Sequence, residues 1–472
     1  MVALLKKRMV RRLRLLCAAA FVFCVFAPTA VEVFEESPAT IFGRNLQLPE
    51  LEINTATQEN LILMFWFYCP DALNYPIDQS SVILVGPEYT MCENDEVAER
   101  AQKVVCDRDV ECLRHLLDRF GNNQTGNIDV LFCSSCPQHV GSTLRLFFNT
   151  VVNISSADFE QIVWLESLTM SELRDWAEVT FSISIISTCR LGSLLPLMES
   201  LQFSFFLGDR VDLHVSVDAA PSSECLRFLH AYQWPHGSYD IRRRIRATGG
   251  AQVAVPEGLS ATGTTSHRGI LLEDDVSISR QFYCWLKFVS LQLRSYEGAL
   301  KQNIFSISLY TPRVIETGTQ RREYIKYGAS GIHDGSIFLY EVPCSWGSAF
   351  AAPYWSVALN YFEVGLLNGG VFDEIPKSRV NGWKGSWKRW LIEIGYHLHW
   401  TTVYAHFRNE TSFSTNLLQR GQHITAAPGS DERKMYQVPI FEDNGWYRQL
   451  TSKRIFPVSD VRDLHFKPVR QP

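Results

Sequence analysis

The chain lacks any excess of positive charge. Its 45 Lys and Arg stand against 50 Asp and Glu, a net charge of −5. No overall basic field exists to hold nucleic acid, which is excluded as a partner on that ground. No internal repeat or low-complexity tract appears. Charged residues make up 20% against a hydrophobic set of 46%, a globular rather than a disordered composition. A second CxxC pair to complement Cys133 and Cys136 is also missing, so disulfide use is a better reading of that pair than zinc. At 472 residues the chain has room for two or three domains and a sizeable core.

Long apolar runs are scarce too, with one exception. "LLCAAAFVFCVFAPTAV" (Leu15 to Val31) has no charge and follows Lys6, Lys7, Arg8, Arg11, Arg12 and Arg14. A basic flank before one apolar run is the layout of a signal anchor or a signal peptide. Pro28 disfavours a cut after Ala27, so an anchor is expected over 15–33, short enough for the thinner early secretory membranes. The positive-inside rule leaves 1–14 cytosolic and everything after about residue 35, beginning with a stem at 34–58, in the lumen, which predicts a Golgi or ER membrane protein. Sequons at Asn123, Asn153 and Asn409 and the ten cysteines outside the apolar run suit that compartment. Six of those cysteines fall within 59–160, where strand-like and helical runs alternate. This segment reads as a β-rich, disulfide-braced accessory domain. "DEVAERAQKVV" and "DVECLRHLLDRF" have helical spacing within it, the latter with Asp109 as a cap.

From about 178 to 430 the pattern is α/β. "FSISIIST" and "VDLHVSVD" read as strands. "RLGSLLPLMESLQ" is a helix with Leu194, Leu197, Met198 and Leu201 on one face, and "SSECLRFLHAY" is a helix capped by Ser222 or Ser223. "AQVAVPE" is expected as the next strand, followed by "GILLEDDV", and 431–472 as a C-terminal extension. Strand–helix alternation predicts a parallel sheet covered on both faces, with ligands at the carboxyl ends of its strands. At such an end stand Glu273, Asp274 and Asp275. Three adjacent carboxylates repel one another and lose hydration on burial, so either water solvates them in an acidic turn or a cation sits there. Mg²⁺ or Mn²⁺ suits oxygen ligands of this kind.

Four pieces occur in a telling order. "FSISIISTCR", "VDLHVSVDA" and "ILLEDDVSIS" are followed by "NGGVFDE" with "WKGSWKRWLIEIGYHLHWTTVYA". Together they resemble the GT-A class of glycosyltransferases, family 2-like enzymes in particular, over about Thr180 to His406. The resemblance implies a Rossmann-like mixed sheet flanked by helices. It implies transfer of a sugar from a UDP- or GDP-linked donor to a glycan or glycoprotein, with Mn²⁺ or Mg²⁺. It assigns Glu273 and Asp275 to the metal, with His406 as a further ligand. Thr188, Arg190, Asp218, Arg244 and Asp274 fall to the sugar nucleotide, and Trp346, Gly347 and Trp387 to the acceptor side. Trp383, Trp387 and Trp390 equally fit an apolar helix stripe buried in a core.

One departure stands out. Family 2-type inverting enzymes carry an acidic pair at the start of the helix after GGFDE, where this chain has Gly385-Ser386-Trp387-Lys388. Asp373 and Glu374, a dozen residues earlier, are the candidate substitutes for its base, and the stereochemical outcome is left open. A non-catalytic glycan-binding or scaffold protein that keeps the fold is the alternative, and a metal-dependent phosphohydrolase a third.

Overall fold

The structure is a computed structural model that describes residues 61–65, 81–86, 102–105, 128–134, 150–154, 158, 161–246, 250–298, 301, 303–320, 323–368, 375–383, 385–417 and 436–469. The expected tail, anchor and stem, Asn123, the helix starting at Asp109, and Asp373 and Glu374 all lie outside these residues. No described helix is long and apolar enough to cross a membrane.

The first five strands are β1 (Leu61–Phe65), β2 (Ser81–Gly86), β3 (Gln102–Val105), β4 (Ile128–Ser134) and β5 (Thr150–Ile154). They pair in the order β3-β2-β1-β4-β5, and every pair is parallel. Parallel neighbours need crossover connections of a dozen residues or more, so this segment is built on crossovers rather than hairpins. "QKVV", expected as the end of a helix, is β3. It pairs with β2 along its whole length, from Gln102 on Ile83 to Val105 on Gly86.

The main sheet has nine strands. These are β6 (Thr180–Ser187), β7 (Asp212–Val217), β8 (Tyr239–Arg243), β9 (His267–Glu273), β11 (Ile304–Ser308), β14 (Ser336–Tyr340), β15 (Ser348–Ala351), β16 (Thr401–His406) and β18 (Val461–Arg462). Their order is β18-β14-β16-β11-β15-β9-β6-β7-β8, with β15 antiparallel to both neighbours and β14 antiparallel to β16. Two small pairs complete the strands: β10 (Val276–Ile278) with β17 (Ser414–Asn416), and β12 (Val314–Ile315) with β13 (Glu323–Tyr324). Seven helices matter here: α1 (Met170–Arg174), α2 (Leu191–Gln202), α3 (Ser223–Ala231), α4 (Ala251–Gly258), α5 (Phe282–Ser295), α6 (Ala352–Asn368) and α7 (Trp387–Leu398). The chain is therefore α/β, with a large mixed sheet flanked by helices, as expected of a Rossmann-like fold.

Side-chain alternation sorts the layers. Ile183, Ile185, Ile270 and Leu272 face one core with Leu194, Leu197, Met198 and Leu201 of α2 and the buried α5. Leu271, Phe305 and Phe350 face the other, with Val255 of α4, Trp355 of α6 and Trp387, Trp390 and Leu391 of α7. Ser222 caps α3 by accepting the Cys225 N–H at 3.1 Å. "AQVAVPE" is not the third strand but α4, which buries Ala254, Val255 and Gly258 at helical spacing. The third strand is β8, "YDIRR". It sits at the sheet edge, half-buried and charged, and so carries no apolar signal. Gly208 closes the contact with β5. Its φ is +77°, and a Cβ there would meet the Asn153 carbonyl oxygen at 1.8 Å.

Residues after 435 join the same sheet through β18. Arg454 forks onto Glu172 with two bonds of 2.6 Å, while Glu172 also accepts from the Thr169 N–H and the Ser295 hydroxyl. Burial would raise the Glu172 pKa, yet those donors hold it below its ordinary value. Glu341 behaves oppositely. Burial, reinforced by Asp463 against a bond from the Leu464 N–H, pushes it from 4.5 to about 7. The folded protein therefore keeps a proton on Glu341 that the unfolded chain has released, and stability falls as pH rises from about 4.5 to 7. Glu341→Gln is expected to flatten that slope in thermal melts across pH 4.5–8. An unchanged slope would remove Glu341 from the account.

Candidate active site

β9 delivers the three acids to the carboxyl edge of the sheet, one residue beyond the last branched apolar step. The chain turns after Glu273, so the acids do not alternate as on a straight strand. Asp274 is 2% exposed. It accepts from the Ser187 hydroxyl (2.9 Å), the Thr188 N–H (2.9 Å) and hydroxyl (3.3 Å), and Arg190 (2.5 Å). Its role is to fasten the loop after β6 to the end of β9. Asp275 lies 3.9 Å from the same guanidinium and accepts from Asn416 of β17 at 3.5 Å. Glu273 accepts from the Trp387 indole N–H at 3.2 Å.

Arg190 is thus shared among three carboxylates. Burial alone would lower its pKa, and Asp274 and the other two acids together hold it raised. Even so, negative charge is in surplus. Burial, and then the charge on Asp275, pushes Glu273 to about 7. Burial and Asp274 also raise Asp275, against the pull of Arg190. A cation between Glu273 and Asp275 would relieve both, and two carboxylates with the remaining positions left to water and phosphate oxygens fit Mg²⁺ or Mn²⁺. Among the described residues no group of three or more His, Cys, Asp or Glu converges as a full ligand set.

The residues expected at a sugar nucleotide come together along this edge. Thr188 and Arg190 follow β6, Asp218 follows β7 with its N–H on the Ser187 carbonyl, and Arg244 follows β8 with its N–H on the Val217 carbonyl. Arg244 is held between Asp218 (3.7 Å) and Glu257 (3.1 Å). Cys189 and Ala220 in these loops adopt left-handed φ of 67° and 60° without being glycine, a strain that clusters at functional sites. The Cys189–Cys225 disulfide ties the first loop to α3.

No protein-family model matches the chain, and no curated protein matches it.

On the other side of the acids, Ser348 at the start of β15 pairs with Leu271, and the same register carried back two residues brings Trp346 level with Glu273. Gly347 has φ +97°, and its carbonyl accepts the Leu309 N–H. Trp346 packs edge-on against Tyr310 and Tyr436, at 4.8 and 5.1 Å, over a pocket that Arg313, Glu316 and Cys344 also line. Trp387 departs from the expectation of an exposed stacking face. It is 3% exposed, and its N–H serves Glu273, because the α7 stripe packs into the core.

His406 is not with the acids. It ends β16, three strands from β9 and so about 14 Å away. There it stacks on Tyr327 at 3.9 Å and lies 3.5 Å from Asp334. Asn409 is exposed and open to a glycan, whereas Asn153 is half-buried within β5. Sequence reasoning missed Glu316, Asn416, Tyr310 and Tyr436. Each reaches the site from a distant segment, and no local pattern marks it.

Proposed function

We propose that the chain is a metal-dependent glycosyltransferase of the GT-A type, moving a sugar from a nucleotide-sugar donor to a glycan or glycoprotein. The observation that supports this best is the cluster of acids at the end of β9, where burial and the neighbouring carboxylates raise the pKa of Glu273 and Asp275 and a single guanidinium, Arg190, faces all three. A divalent ion there would supply the positive charge that steadies a departing diphosphate. Glu273 and Asp275 would hold it. Trp387 orients Glu273, Asn416 orients Asp275, and Asp274 fixes the donor loop. Thr188, Arg190 and Asp218 stand where a nucleotide would rest, at the carboxyl ends of parallel strands. A luminal setting is part of the proposal, supported by the Cys189–Cys225 disulfide and the exposed Asn409 sequon. The expected anchor would hold the protein in a Golgi or ER membrane.

The test is binding of a UDP, GDP and CDP panel to the detergent-solubilised full chain, with and without Mn²⁺. Wild type is expected to bind one of them only with metal, and Asp275→Asn to weaken that binding by about a hundredfold or more, some 3 kcal/mol. A folded protein that binds none of them, metal or not, would return the chain to the non-catalytic glycan-binding reading.

A further inference from the structure

The end of β9 opposite the acids carries a positive charge that no acid answers. Arg268, the second residue of β9, is 8% exposed, and its Nη1 is fully enclosed. Among the described residues its guanidinium makes no hydrogen bond and no ion pair. Its field reaches Tyr354, in the first turn of α6. Burial pulls the Arg268 pKa down to about 10, so the side chain still carries its charge at neutral pH. A buried guanidinium without an acceptor is costly, and folded proteins rarely leave such a group unpaired.

The surroundings add positive charge rather than remove it. Arg268 stands opposite Ala351, the last residue of β15, and α6 starts at the next residue. That helix runs for 17 residues, with Pro353 in its first turn. The first N–H groups of a helix lack partners within it, and its dipole places partial positive charge at this end. The Tyr354 hydroxyl donates to the Lys301 carbonyl at 3.3 Å, and the Lys301 ammonium donates to the Arg294 carbonyl at 2.6 Å. Arg294 in turn donates to the hydroxyl of Ser266, two residues before Arg268. These contacts close a ring around the amino end of β9. The acid on that ring, Asp175, is engaged by Arg294 at 2.8 Å. Glu297 is exposed and makes no ion pair among the described residues. Five residues of strand, about 17 Å, separate Arg268 from Glu273, so the acids at the far end do not serve it.

We propose that Arg268 and the N-terminal turn of α6 form a seat for a small oxyanion, phosphate or sulfate, at the sheet end opposite the acids. The planar guanidinium meets two of its oxygens in a forked contact, and the helix end and Lys301 share the rest of its charge. Because Arg268 is so enclosed, a compact group fits the seat better than a large polyanion. The occupant is either the free ion or the same group carried on a small ester. The seat does not rest on the transferase reading, since none of its residues belongs to the acidic edge.

The experiment uses the detergent-solubilised full chain in EDTA, which keeps divalent metal away from the acids. Sodium phosphate and sodium sulfate are titrated at constant ionic strength, with sodium chloride as the balance, and followed by calorimetry and thermal melts. Wild type is expected to show one saturable site and a rise in melting temperature of about 2 °C or more. Arg268→Met should weaken that binding about tenfold or more. Without oxyanion it should melt no lower than wild type, because an unpaired buried charge has gone. Arg268→Lys keeps the charge but loses the fork. It should also bind about tenfold more weakly, and it carries the test if the methionine variant does not fold. Methyl phosphate separates the sources: binding as tight as that of phosphate supports an ester as occupant, and no binding beside a phosphate response supports the free ion. A response no larger than that to chloride would overturn the seat. So would equal binding by wild type and the variants, which would put the anion elsewhere, at the acidic edge for example. An Arg268→Met variant that loses the same stability with and without phosphate would leave Arg268 a packing role alone.

Discussion

Asp274→Ala lowers the free energy of unfolding by about 3–5 kcal/mol and weakens metal-dependent nucleotide binding by about tenfold or more. The carboxylate is almost wholly buried and gathers donors from Ser187, Thr188 and Arg190. Removing it strands those donors at once. The Ser187 hydroxyl also accepts the Cys189 N–H at 2.7 Å, so the disulfide end of the loop loses its mooring through the same change. Asp274→Asn keeps the shape and one acceptor oxygen, and it should lose less stability than the alanine variant. Denaturant melts and a nucleotide titration with Mn²⁺ measure the two effects separately. A stability loss under about 1 kcal/mol for Asp274→Ala would mean the loop holds itself, and that Asp274 is available for the ligand instead.

Lys287→Met is the second large effect, again about 3–5 kcal/mol of unfolding free energy, and it lies far from any proposed chemistry. Lys287 is fully buried in α5. It donates to the Trp176 and Val179 carbonyls at 2.7 and 2.9 Å and to Asp209 at 2.7 Å. Burial depresses its pKa, and Asp209 works against that depression. Tyr283 donates to the same carboxylate at 2.6 Å, and the Trp176 indole N–H reaches its other oxygen at 3.3 Å. The network pins α5 to the chain entering β6 and to the turn before β7. The methionine fills the volume but leaves Asp209 without its counter-charge. Asp209→Leu combined with Lys287→Met should recover part of the loss, because the desolvation of both charges disappears together. Equal losses for the single and double variants in a melt would show that packing, not the ion pair, sets the effect.

How the site is built explains how much of it could be read in advance. The acids at Glu273–Asp275 and the loop at Thr188–Arg190 each lie at the end of a strongly patterned strand, so their position at the sheet edge follows from the pattern alone. Asp218, just past the end of β7, is legible for the same reason. Trp387 is not, since an i, i+4, i+7 stripe of tryptophans fits a sugar platform and a core face equally well. Only the packing of α7 on α6 and α4 selects the core. His406 was placed by its nearness to a closing strand, but sheet order puts three strand spacings between it and the acids.

The sequence by itself determined the layered α/β plan, the helix faces and caps, and a carboxyl edge that ends on three acids. Periodicity and capping act over a few residues, and the chain states them locally. Tertiary structure alone decided that "YDIRR" is the edge strand and "AQVAVPE" a helix, that Cys189 pairs with Cys225, and that Asp274 serves the loop while Glu273 and Asp275 retain the surplus charge. It also brought Glu316 to Lys388 across 72 residues of sequence. These are contacts between segments far apart in the chain. Their energies come from burial and charge at points of contact, which no local pattern of residues encodes.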